Sequence, residues 1–307
     1  MDTERLSPRY ADIDLWEPKD ILEALIEGQL SAVASVQAAR AAIEQAALGI
    51  EARLRGNGRL VYAGAGTSGR LAVQDGAELM PTFNWPRERL LMLLAGGEQA
   101  MTQAVEGAED EVGLARELIR DHKINAADVL IAVAASGSTP FTLACLKEAG
   151  KRGALTVGIA NNAGTPLLIE ADHPILLATG PEPIAGSTRM NAGTAQRITL
   201  SLLSTLVMIR LGRVYRGLMV EVQASNAKLA KRKEEILMHL TGRSGREVRE
   251  ALQRSGGSVK IAVLVLHGCG HEEAMKLLER VDGRLRVAMD LLARQNEQRL
   301  DGGKQRS

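Results

Sequence analysis

The stretch LVYAGAGTSGR, residues 60–70, decides how the rest of the chain is read. Leu60 to Ala63 form a strand-sized apolar run without polar alternation. A loop follows in which Gly64, Gly66 and Gly69 are interleaved with Thr67 and Ser68, and it opens a helix. A buried strand that ends in a glycine loop at a helix start is the opening unit of a doubly wound α/β sheet. Outward from it the same punctuation recurs. Strand candidates are LLMLLA (90–95), DVLIAVAA (128–135), LTVGIA (155–160) and PILLAT (174–179). Helical segments fall near 69–79, 98–120 and 139–152, and Thr188–Leu211 reads as a long helix. The alternation predicts a doubly wound five-stranded parallel sheet with right-handed crossovers and ligands at the C-terminal strand edges.

On the N-terminal side, residues 18–55 read as helices. The first starts at Pro18 and is interrupted at Gly28; a second carries Val33, Val36, Ile43, Ile50 and Leu54. On the C-terminal side, 212–307 reads as a small helical subdomain. EVQASNAKLAKRKEEILMHL (221–240) is a helix with a charged face, and 241–292 holds three or four short helices broken by glycine pairs. SVKIAVLVL (258–266) has strand propensity, but its helical neighbours favour a buried helix. The tail DGGKQRS (301–307) reads as frayed.

Composition removes several classes of function. Among 307 residues, Lys+Arg count 38 and Asp+Glu 37, a formal charge of +1, which is not the excess a nucleic-acid binder concentrates. Aromatic residues are only 2%, too few for base-stacking platforms or aromatic sugar clefts. No apolar run approaches the 18 or so residues a membrane span needs, and the charged start MDTERLSPRYADID has no signal-peptide pattern. Cys145 and Cys269 lie far apart with no CxxC neighbour, so neither a zinc site nor a required disulfide is expected. A reducing cytoplasmic location follows as the expectation.

The first loop literally satisfies G-x-G-x-x-G, yet a dinucleotide site also needs an acid at the end of the next strand. That strand ends Ala95-Gly96-Gly97, with Glu98 arriving late. Two adjacent hydroxyls, Thr67 and Ser68, suit a compact monophosphate cradle better. A second loop, Ala135-Ser136-Gly137-Ser138-Thr139-Pro140, also ends a strand and feeds a helix. Serine and threonine at helix starts can be mere caps. Two such loops on neighbouring strands point instead to one shared anion.

Strand–SGxTP–helix is the hallmark of sugar isomerase (SIS) domains, and ASGSTP at 135–140 resembles it. GAGTSGRLAVQDGAELMPT (64–82) is similar to a narrower signature, that of the N-acetylmuramic acid 6-phosphate etherases. GSTRMNAGTAQ (186–196), LMVEVQASNAKL (218–229) and TQAVEGAED (102–110) resemble further blocks of that family, in order. The resemblance implies an N-terminal helical segment at 1–54, an SIS phosphosugar-binding domain at 55–218 and a ubiquitin-associated-like helical subdomain at 219–307. It implies a homodimer that removes D-lactate from C3 of the sugar phosphate by elimination and water addition, with no metal or organic cofactor, in cell-wall sugar recycling. Other than the phosphosugar and a second copy, neither nucleic acid nor membrane is an expected partner.

By position in the motifs, Glu78 would be the acid that protonates the departing lactate oxygen, and Glu109 the base that takes the C2 proton. Substrate contacts are implied for Gly66, Thr67, Ser68, Arg70, Ser136, Ser138, Thr139, Ser187 and Arg189. From spacing alone Glu78 reads as a surface residue, and nothing chooses among Glu106, Glu109 and Glu111. Arg70 and Arg189 are the cations expected nearest the ligand, the alternative being helix-surface arginines. His173, His267 and His271 have no ligand-like partner spacing and read as structural or surface histidines. The chain departs from the family at Ser138, where arginine is usual, and at Asn191, where lysine is usual; both changes remove a positive charge and bear on substrate preference. A non-catalytic phosphosugar sensor and an aldose–ketose isomerase share the fold. The two glutamates weigh against the sensor, and an acid at C3 has no use in the isomerase.

Overall fold

The computed structural model describes residues 1–223 and 227–304. They form two compact units, Met1–Glu78 with Pro86–Val207, and Leu79–Trp85 with Met208–Ser307.

The first unit is built on the expected sheet. Strands β1 (Leu60–Gly64), β2 (Leu90–Leu94), β3 (Val129–Val133), β4 (Leu155–Ala160) and β5 (His173–Leu176) pair in the order β2-β1-β3-β4-β5, all parallel. Every residue of β1 and β3 is buried, as runs of Val, Leu, Ile and Ala must be when helices cover both faces. Helices α1 (Pro18–Ala38) and α2 (Arg40–Leu54) precede β1. Then α3 (Gly66–Phe83), α4 (Val112–Asp121), α5 (Pro140–Lys151) and α6 (Pro166–Glu170) link the strands, and α7 (Asn191–Arg210) follows β5. The core under α4 and α5 joins Ile119, Leu130, Phe141 and Leu146 with many alanines, whose small side chains let helix backbones approach the sheet.

Three expectations are corrected in this unit. Gly28 does not interrupt a helix: α1 runs through it to Ala38, so Val33 and Val36 belong to the first helix. A side chain at 28 would meet Asn191 Oδ1 at 2.6 Å, so this glycine serves close packing rather than a break. The segment 98–120 is not one helix. Short 3₁₀ turns at Glu98–Met101 and Ala108–Asp110 are separated by a loop, with Gly107 at a φ of 72°, and only Val112–Asp121 is α-helical. Finally, α7 is long and apolar enough to span a bilayer by length and composition, at mean hydropathy 1.2. Of that window 56% is buried within the protein, as in a helix that fills a globular core.

The second unit holds a two-residue hairpin, β6 (Val214–Tyr215) and β7 (Leu218–Met219), turned by Arg216 and Gly217 at positive φ of 48° and 78°. Strands this short leave no alternation to read. Five helices follow: α8 (Ala227–Thr241), α9 (Gly245–Arg254), α10 (Val259–Leu266), α11 (His271–Arg280) and α12 (Leu285–Lys304). The expected helix at 221–240 begins at Ala227, and 224–226 lie outside the described residues. SVKIAVLVL is the buried helix α10, with Ser258 accepting from the Ile261 N–H. α12 continues to Lys304 into the segment expected to fray, whose last three residues lie outside the described ones. Val248, Val263, Leu264 and Leu278 centre this unit's own core. Both cysteines are buried, one in each unit, and burial pushes the Cys145 thiol up to about 12.

Two contacts hold the first unit's geometry. Gly69 lies where α3 crosses β1: a Cβ there would sit 2.4 Å from Leu94 Cδ1 and 2.7 Å from the Gly64 backbone. At the opposite, N-terminal ends of β1 and β3, Asp128 accepts from Arg59 N (3.0 Å), Nε (3.1 Å) and a terminal guanidinium nitrogen (2.6 Å), and from Asn125 N (3.0 Å). Burial raises the carboxyl's pKa, but these donors and the guanidinium charge outweigh it and hold the group below the ordinary carboxylate value. Gly69→Ala is expected to cost at least about 2 kcal/mol in chemical denaturation, because backbone rather than a flexible side chain must shift. Asp128→Asn is expected to cost about 2–3 kcal/mol at pH 7. Since the folded pKa is depressed, wild type has this advantage above the unfolded value. It loses it as pH falls through the folded value, so melting curves of the two proteins should converge below about pH 4.

Candidate active site

The sheet order decides where the site lies. From β1 the chain crosses to β2 on one side and returns to β3 on the other, so the C-terminal ends of β1 and β3 flank the switch point. Gly64 is in register with Val133, and the loops leaving these strands therefore run side by side. The first enters α3 through Gly66, at a φ of 52°, so Thr67 and Ser68 occupy the helix's first turn with N–H groups unused by the helix. The second loop ties itself together: Ser136 Oγ and Thr139 Oγ1 are 3.2 Å apart, and Ser138 N–H donates to Ser136 Oγ at 3.2 Å. Gly137, at a φ of 66°, has no room for a side chain, since a Cβ would fall 2.1 Å from Thr165 Oγ1.

Between the loops is a cavity of about 390 Å³, lined by Ala65, Gly66, Thr67 and Ser68 on one side and by Ala135, Ser136, Ser138, Thr139 and Pro140 on the other. Glu109, Glu4, Gly186 and Thr188 complete the lining. The size falls within the range of small-ligand sites. Among the described residues around it there is no lysine or arginine. Charge on a bound phosphate would be met by hydroxyls and by the N–H groups at the starts of α3 and α5.

The residues singled out in the sequence divide into those the cavity gathers and those it does not. Gly66, Thr67, Ser68, Ser136, Ser138, Thr139 and Glu109 line it. Buried Ala108 seats the 3₁₀ turn that bears Glu109, while Glu106 and Glu111 do not line the cavity, which separates three acids that spacing left equivalent. Arg70 does not reach the cavity. Its Nε donates to Ala100 O (2.7 Å) and a terminal nitrogen to Gln103 O (3.1 Å), so it fastens the turn that leads to Glu109. Ser187 and Arg189 also lie outside the lining, although their neighbours Gly186 and Thr188 are in it. Of the two departures, Ser138 lines the cavity. Asn191 is buried beneath α1, where its Oδ1 accepts from Gln29 Nε2 at 3.1 Å.

Glu78 is exposed and does not line this cavity. It sits on α3 twelve residues beyond Gly66, about 18 Å along the axis. One turn before it, buried Asp75 accepts from Tyr62 Oη (2.7 Å) and Ser204 Oγ (3.1 Å). Burial pushes the Asp75 carboxyl up against the pull of those hydroxyls and of Arg197, and the charge of Glu78 adds to the rise. The triangle fixes α3 against β1 and α7, and with it the direction in which Glu78 leaves the helix.

Two acids escaped the sequence reading. Glu182 is buried, and its carboxylate accepts from Asn191 N (2.9 Å) and Ala192 N (2.8 Å). It caps α7 and closes the loop that bears Gly186 and Thr188. Burial raises its pKa against those two N–H donors. Pro-Glu-Pro ten residues before a helix offers no capping signal, because the cap reaches back over a loop. Glu4 lies far ahead of the first strand, and no periodicity or motif connects it to the loops.

Residues 107–209 match the SIS domain family, and residues 42–150 match the family described as glucokinase regulatory protein N-terminal SIS domain. The chain is 50% identical to an N-acetylmuramic acid 6-phosphate etherase of Deinococcus radiodurans, over 94% of this chain and 94% of that one. It is 44% identical to the protein of that name in Streptomyces avermitilis, over 94% and 93%, and 43% identical to that of Edwardsiella ictaluri, over 94% and 97%. Identity at this level along nearly the full length of both chains places this chain within the N-acetylmuramic acid 6-phosphate etherase family.

Proposed function

We propose that the protein removes D-lactate from C3 of N-acetylmuramic acid 6-phosphate and leaves N-acetylglucosamine 6-phosphate, as a carbon–oxygen lyase in cell-wall sugar recycling. The observation that supports this best is the full-length kinship with proteins of that name, coupled with a cavity whose two serine/threonine loops suit a phosphate monoester. A charged sugar phosphate does not cross a bilayer unaided, and this reading places the enzyme in the cytoplasm with its substrate.

The chemistry assigns the roles. In the open-chain aldehyde the C2 proton is acidic. Glu109 takes that proton, its electron pair becomes the C2–C3 double bond, and the C3–O bond breaks. The lactate oxygen leaves with a proton from Glu78. Water then adds at C3 while C2 regains a proton, so one water is consumed for each D-lactate released. Each well-placed acid or base is worth about 10²–10⁴ in rate. The phosphate rests on the hydroxyls of Thr67, Ser68, Ser136, Ser138 and Thr139 and on the N–H groups at the two helix starts. Arg70 acts by holding the turn before Glu109.

C3 of a hexose is only a few bonds from its phosphate, so Glu78 of the chain that grips the phosphate is out of reach. In this reading the enzyme is a homodimer, and Glu78 of the partner subunit serves the cavity. An apolar stripe on α1 supports a second copy: Leu22, Ile26, Leu30 and Val33 are 58%, 52%, 65% and 49% exposed at helical spacing. The match to a regulatory protein's domain favours one other reading, phosphosugar binding without turnover, which lactate release decides.

Purified protein given N-acetylmuramic acid 6-phosphate is expected to release D-lactate, read by a coupled D-lactate dehydrogenase. Glu109→Gln should lower kcat by about 10²–10⁴ with little change in KM. No release by wild type would overturn the etherase reading. Glu78→Gln and Glu109→Gln should each be nearly inactive alone. When the two are unfolded and refolded together, random pairing should restore about a quarter of wild-type activity, one intact site in half of the dimers. Failure to restore activity in demonstrably mixed dimers would place both glutamates in one subunit's site.

A further inference from the structure

Residues 2–4 are tied to the cavity. Thr3 is fully buried. Its N–H donates to Asn162 Oδ1 at 3.3 Å, and Asn162 Nδ2 donates to Thr3 Oγ1 at 2.9 Å. The Thr3 carbonyl accepts from Gly186 N at 3.0 Å. The same Asn162 Nδ2 also donates to the carbonyl of Ala135, which opens the second serine/threonine loop, at 2.9 Å. One asparagine thus joins the N-terminal segment to the phosphate loop, and Thr3 joins it to the loop that bears Gly186 and Thr188. The turn Asp2–Glu4 then places Glu4 in the cavity lining. Gly186, at a φ of 78°, leaves room for that carboxylate: a Cβ on it would lie 2.9 Å from Glu4 Oε2.

We propose that Glu4 is a specificity-determining residue of this cavity, one that accepts hydrogen bonds from neutral donors on the sugar and so sets the direction in which the phosphosugar lies. The inference deepens the etherase reading and rests on it for the identity of the sugar. A carboxylate repels a phosphate dianion, so Glu4 is not a phosphate ligand. It presents acceptors only, whereas the serine/threonine loops present donors. A ligand with a dianion at one end and hydroxyl and acetamido N–H groups at the other matches that polarity in one orientation. The reversed orientation sets like charges against each other. Glu4 acts by orientation and takes no part in proton transfer.

The test is calorimetric binding of two probes, N-acetylglucosamine 6-phosphate and inorganic phosphate, to the full chain and its variants. Glu4→Ala should weaken the sugar phosphate about tenfold or more, the loss of a charge-assisted hydrogen bond, while inorganic phosphate binds as well as before or better. Thr3→Val, which keeps the shape but removes the hydroxyl that fixes the segment, should shift the same probe in the same direction with Glu4 intact. Equal loss for both probes, no loss for either, or wild type that holds the sugar phosphate no more tightly than inorganic phosphate would each overturn the proposal. Failure of the etherase reading appears separately, as absence of D-lactate from wild type whichever way the Glu4 variants bind.

Discussion

The site depends on the parallel pairing of β1 with β3. Because Gly64 and Val133 are in register, two loops far apart in sequence leave the sheet at the same level and face one cavity. Each loop enters a helix, so each brings N–H groups that the helix cannot satisfy. Two helix starts and several hydroxyls can then meet a dianion without a lysine or arginine in the lining. Gly69 makes the arrangement possible, since any side chain there would push α3 off β1 and carry the first loop with it.

A cavity built from neutral donors needs its charged groups held at defined distances, and several buried contacts do this. Arg70 spends its guanidinium on the carbonyls of Ala100 and Gln103, and the turn that follows presents Glu109. Glu182 closes the start of α7 and fixes the loop with Gly186 and Thr188. Thr3 and Asn162 bind the N-terminal segment to both neighbouring loops. Asp75, gripped by Tyr62 and Ser204, sets the orientation of α3 beneath Glu78. Each of these groups shapes the site through another residue.

The two departures at Ser138 and Asn191 separate in the same way. Ser138 lines the cavity, so the change of residue type there alters the cavity wall itself. Asn191 lies beneath α1 between Gln29 and the glycine at 28, where it governs helix packing. A residue within a motif in sequence is thus not necessarily part of the cavity lining. Ser187 and Arg189 teach the same lesson beside Gly186 and Thr188.

By itself the sequence determined the parallel sheet, the two serine/threonine loops and the buried helix at 259–266. These are local matters: apolar runs of strand length, glycines at required turns and hydroxyls at helix starts all act within a few residues. It could not show that α1 runs through Gly28, because the break was inferred from glycine's low helix propensity while packing against Asn191 overrides it. Nor could it separate Glu109 from Glu106 and Glu111, since the turn at Gly107 rather than any period aims one of them at the cavity. Only the tertiary structure brought Glu4 to the loops and set Glu78 apart from them. Both outcomes follow from long-range geometry: hydrogen bonds that span more than a hundred and fifty residues of chain in the first case, and the fixed rise of a helix in the second.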